Sequence, residues 1–178
     1  ITLDDITEQV RLHQKLESDI VQRKHTEKVL KENKAQLSKL SITVEQSPAS
    51  IIITDLQGVI EYVNPAFTDI SGYALAEALG QKTSILNSGL TPLETYKNLW
   101  TTITAGNVWR GELLNRRKNG ELFWEATVIA PIRNAQNVTT HYVAVKEDIT
   151  ARKHAEEALK NSELHYRAVA QSAKEAVV

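Results

Sequence analysis

Residues 44 to 150 predict a compact α+β domain of two strands, several short helices and then three strands. Strand-like segments come in two groups, two before and three after a middle stretch rich in helix signals. Within each group the strands are joined by short turns, which pairs them antiparallel. Outside the domain the chain turns polar, and residues 4 to 42 hold no Gly or Pro, as a long flanking helix requires.

The first flank, about residues 4 to 42, reads as one long helix. Leu16, Leu30, Leu37 and Val44 share a heptad position that Arg23 interrupts. The neighbouring seam position mixes Asp19, Thr26 and Asn33 with Leu40. So leaky a heptad fits a weak coiled coil, and the expectation is a parallel homodimer through this helix; the alternative is a solvated single helix.

Inside the domain, IIITDLQGVIEYV predicts two short strands around a turn at Leu56–Gly58. Asn64 then caps a helix that has Pro65 at its first position. SGYALAEALG adds short turns and helix. TPLE, from Thr91 to Glu94, has capping-box spacing, so Thr91 should open a helix with Pro92 at its first position. That helix carries Tyr96, Leu99, Trp100 and Ile103 on one side and stops at Gly106. Three strands follow: WRGELLNR from Trp109, a second through Leu122, Trp124, Ala126 and Val128, and a third at HYVAV, 141–145. Asn119-Gly120 marks the hairpin between the first two.

In the first of these strands Trp109, Gly111, Leu113 and Asn115 share the more apolar face, and an amide buried there needs a partner. Asn115 is therefore either satisfied within the sheet or turned toward a ligand. Trp100, on the apolar stripe of its helix, is either core or the wall of a pocket. Arg116, Arg117 and Lys118 read as a solvated hairpin tip. Glu121 and Glu125 read as ordinary strand alternation rather than a catalytic pair.

A repeat frames the domain. DIT occurs at Asp5–Thr7 and Asp148–Thr150, RKH at Arg23–His25 and Arg152–His154, and VEQSPASII from Val44 is echoed by VAQSAKEAVV from Val169. The spacing from Thr7 to Arg23 is 16 residues against 2 from Thr150 to Arg152, a difference of two heptads that keeps a coiled coil in phase. The expected organisation is tandem. Residues 1–43 hold the end of a preceding domain, with its last strand at the first DIT, and a linker helix. Residues 44–150 are the complete domain, and 151–178 are a second linker helix with the start of a following domain.

Composition narrows the chemistry. The formal net charge of −1 offers no footprint for nucleic acid, and the apolar runs fall far short of the roughly 20 residues of a membrane span. With no cysteine, disulfides, thiolate catalysis and a flavin–cysteine bond are excluded. Of the five histidines only His141 is near the central domain, which disfavours haem and zinc.

ITDLQGVIEYVNPAFTDISGY, NRRKNGELFWE and HYVAVKEDIT, together with the trailing helix, resemble a PAS sensor domain over about residues 44 to 150. The resemblance implies a five-stranded antiparallel sheet with short helices over one face and a ligand cavity between them. It also implies dimerisation, and signal transfer through flanking helices to neighbouring PAS domains and to an output domain such as a histidine kinase or cyclic-di-GMP enzyme. SILNSGLTPLETYKNLWTTITAGNVWRGELLNRRKNG is similar to the FAD-binding PAS domains of the nitrogen-fixation regulator and methane monooxygenase sensor type. In that group a helix tryptophan and a strand asparagine line the flavin pocket, which places Trp100 and Asn115 there, with Trp109 matching the same pattern. Thr83 and Ile52 stand where the resembled regulator has a glutamate and a serine, and Asn64 can also face the cavity. Thr83 also takes the place of the reactive cysteine of blue-light flavin PAS domains. Two readings follow: a cytoplasmic, non-enzymatic module binding FAD as redox or oxygen sensor, or a cofactor-free module for dimerisation and relay or for another small ligand.

Overall fold

The computed structural model describes residues 3–175. The chain divides into two units, Ile1–Val44 and Glu45–Val178. Helix α1 runs Leu3–Glu45 and includes Asp5–Thr7, so the first DIT is helical rather than the end of a strand. A strand there has no ladder neighbour among the described residues, and only a helix satisfies its backbone groups locally. The anticipated strand entry at the C-terminal end is likewise helical through Glu175, and residues 176–178 of that repeat lie outside the described residues, as do 1–2.

In the second unit come β1 (Ser50–Thr54), β2 (Ile60–Val63), α2 (Pro65–Ser71) and α3 (Leu75–Ala78), then a 3₁₀ turn at Thr83–Leu86 and α4 (Leu93–Thr104). β3 (Trp109–Arg116), β4 (Leu122–Arg133), β5 (Thr139–Asp148) and α5 (Thr150–Glu175) complete it. The strand order is β2-β1-β5-β4-β3, with every neighbour antiparallel. Pro131 is tolerated inside β4 because β3 pairs only as far as Ile129, which leaves Pro131 on a local edge.

The buried faces of the strands alternate as a half-buried sheet demands; α2, α3 and α4 cover one side, while Arg152 and Lys153 at the start of α5 pair with Glu112 on the other. Phe67, Ala78 and Leu86 pack on Ile52, Ile60, Val63 and Ala144; Leu99 and Ile103 pack on Trp109, Leu113 and Tyr142. Partly buried Ile129 touches both clusters.

Two caps test the local reading. Asn64 caps α2 as expected, accepting from the Phe67 N–H at 3.3 Å. Thr91 does not open α4, whose N-cap is Pro92. Its hydroxyl instead accepts from the Leu114 N–H (3.1 Å) and lies 3.2 Å from the Leu114 carbonyl. Together with Ser88, which donates to the same carbonyl, it occupies the outer edge of β3 at Leu114.

Candidate functional site

Reading across the sheet, the face beneath the helices falls into rows set by the register. Ile52, Ala144, Ile129 and Trp109 form an apolar row. The next row is polar: Ser50 lies across from Lys146, Lys146 across from Thr127, and Thr127 across from Gly111. Beyond it Glu125 lies across from Leu113, and beyond that Asn115 lies across from Phe123.

The polar residues are interior. Asn115, Glu125, Thr127, Lys146 and Ser50 are each at most 5% exposed. Lys146 Nζ pairs with Glu125 Oε2 at 2.8 Å, and the Asn115 amide donates to the same oxygen at 2.5 Å. Asn115 thus has a partner inside the sheet, and that partner is a charge. Two hydroxyls beside the pair, Ser50 Oγ and Thr127 Oγ1, are buried with no hydrogen-bond partner. Each such orphan costs about 1–3 kcal/mol, which a fold does not carry twice, on either side of one lysine, without reason.

Trp109 roofs one end of this row. A Cβ built on Gly111 would fall 2.4 Å from Trp109 Cζ2, so the indole lies flat against the strand where only glycine leaves room. Its Nε1 donates to Asn98 Oδ1 of α4 at 3.0 Å, which fixes the ring.

The other anticipated residues fall elsewhere on this face. Trp100 is 38% exposed and stands edge-on to Tyr142, with ring centroids 6.3 Å apart, so it is not core. The Trp100 ring crowds Gly58, with Thr83 Oγ1 in ordinary contact beside it, and the φ of +78° there already calls for glycine. Tyr142 lies across from Pro131 and Asn115 across from Phe123, eight β4 residues apart, or roughly 27 Å along the strand. Ile52 is fully buried in the apolar row between the two ends. Asn64 is committed to backbone: besides its cap it accepts from the Ile51 N–H (2.8 Å) and donates to the Ala49 carbonyl (2.9 Å).

Glu125 was expected as plain strand alternation and is one of the most deeply buried groups of the domain. Arg117, expected in a solvated tip, donates to the Ile70 carbonyl, lies 4.3 Å over the Phe123 ring and pairs with Asp148 at 2.6 Å. Asp148 in turn accepts from the Thr150 N–H at 2.9 Å and so caps α5. Burial works to raise the Asp148 carboxyl, but hydrogen bonds from Thr150 and the Arg117 guanidinium overcome it and hold the group below the usual carboxylate range. Lys118 pairs with Glu77 at 2.6 Å.

A family model described as PAS domain matches residues 48–151. The nitrogen fixation regulatory protein of Klebsiella oxytoca is 38% identical over 135 residues, which is 76% of this chain and 27% of that protein. The chain therefore spans about a quarter of the length of that relative. Among solved structures, an RNA-binding light-oxygen-voltage receptor aligns with a TM-score of 0.65 at 26% identity, over 71% of this chain and 36% of that one. A light-oxygen-voltage domain whose mechanism was studied with a flavin analogue aligns with a TM-score of 0.59 at 26% identity, over 71% of this chain and 96% of that one.

Proposed function

We propose, from the premise that this chain belongs to the PAS domain family and carries a sensor domain of it, that the domain binds FAD noncovalently as a redox or oxygen sensor. The carrying observation is the buried polar row, with Ser50 and Thr127 hydroxyls unpartnered on either side of Lys146. A flavin's polar edge presents donors and acceptors together, and a lysine, an amide and two hydroxyls offer both. Its flat apolar faces suit the indole of Trp109. When bound, the flavin supplies the electron chemistry; the residues here hold and orient it, and no catalytic step is assigned to them.

Purified protein should be yellow, or become so after incubation with FAD, with a flavin spectrum that Asn115→Ala weakens. Folded protein that stays colourless after reconstitution overturns the reading. The second reading, a cofactor-free module for dimerisation and relay or for another small ligand, draws on the Glu125–Lys146 pair, which satisfies itself without a ligand.

The relay belongs to the same proposal. Arg117 joins the buried Phe123 and the end of α2 to Asp148, the cap of α5, so a change at the polar row has a short route into the trailing helix. The partners proposed are a second copy along α1, neighbouring PAS domains and an output domain, in a cytoplasmic setting. No helix among the described residues is long and apolar enough to cross a membrane.

A further inference from the structure

We propose that Glu125 and Lys146 are the pair that sets the reduction potential of the flavin, an inference that rests on FAD occupying this face. The two charges are a buried ion pair, 2% and 6% exposed at the side chain, so salt screens them little. Such a pair is a poor stabiliser: replacing both partners by well-packed apolar residues is often neutral or favourable. Its presence here, with Lys146 in the polar row and Glu125 in the row beyond it, therefore asks for a role beyond folding. The neighbouring charges are already committed, since Asp148, across from Glu125, is held by Arg117.

The chemistry follows from charge alone. With dithionite as reductant, the isoalloxazine ring takes two electrons while dithionite is oxidised to sulfite, and it takes one proton from solvent. The ring thus gains one negative charge, and no bond to the protein forms or breaks. In a low-dielectric interior that added charge is attracted by the Lys146 ammonium and repelled by the Glu125 carboxylate. The two side chains therefore pull the potential in opposite directions. Lys146 favours the reduced flavin, and Glu125 tempers it.

The test is a dye-equilibrated dithionite titration of the full chain loaded with FAD. Glu125→Gln should favour the reduced form at least tenfold, a rise of about 30 mV for a two-electron couple, and Lys146→Met should favour the oxidised form by a similar factor. The double variant Glu125→Gln/Lys146→Met should fall between them. Opposite signs are what a structural role would not give, because loosening the fold shifts both variants the same way. Should Lys146→Met fail to hold flavin, the double variant compared with Glu125→Gln isolates the ammonium, and coinciding potentials overturn the proposal. Shifts of equal sign, or none, also overturn it while leaving FAD binding intact. A wild-type chain that takes up no FAD overturns this inference and the function it rests on together.

Discussion

A lysine and a glutamate closed off from water survive only by holding each other, and the cost of parting them is large. Lys146→Ala leaves the Glu125 carboxylate buried with only the Asn115 amide beside it, and should lower stability by about 3–5 kcal/mol in urea denaturation of the apo-protein. Adding Glu125→Gln should recover most of that loss; a double variant as weak as the single one would show that the lysine stem, not its charge, matters. Gly111→Ala is a second test at this scale. The new Cβ would press on the Trp109 ring, and lifting it should cost about 1–3 kcal/mol and change tryptophan fluorescence. The sequence pattern pointed to Asn115 because an amide stands out in an apolar row. It could not point to Glu125 or Lys146. These two lie 21 positions apart on different strands, and a charge in period-two alternation looks the same whether its face meets water or a helix layer.

At the scale of elements, what the sequence makes legible is what neighbouring residues decide. The strand alternation, the Asn64-Pro65 helix start and the Asn119-Gly120 hairpin are all local, and all stand in the structure. Thr91 was misread because its capping-box spacing is a local signal overruled by a partner 23 positions away, the Leu114 backbone. Arg117 was misread for the same reason, its partners lying on α2 and at the root of α5. The Asp148 junction yields a pH prediction. A carboxyl held below its ordinary value of 3.8 in the folded state stabilises that state above that value, and the contribution disappears as pH falls through the lowered one. Asp148→Asn should therefore be less stable than wild type near neutral pH, by about 0.5–2 kcal/mol for a weakened helix cap, and the two curves should converge in acid. Urea titrations from pH 7 downward check this; a gap that widens toward acid would contradict the assignment.

For the whole molecule the open question is what covers α1. Along this helix Leu12, Leu16, Leu30, Leu37 and Leu40 are between 58% and 67% exposed. A single helix of 43 residues with so many bare leucines is a poor end state in water, because its backbone order is not repaid by apolar burial. Leu16, Leu30 and Leu37 keep one heptad position and Leu12 and Leu40 the adjoining one, so a second copy laid parallel and in register would bury both sets at once. The polar breaks at Arg23, Asp19, Thr26 and Asn33 keep that seam weak. We therefore expect the full chain to sediment as a dimer at tens of micromolar concentration and to dissociate on dilution. Leu30→Glu with Leu37→Glu should give a monomer at the same concentration, with the PAS domain still folded by circular dichroism. A chain that stays monomeric at the highest concentration, or a dimer indifferent to both substitutions, would remove α1 as the dimer contact and move the search to α5, where Leu159, Leu164 and Tyr166 are also exposed.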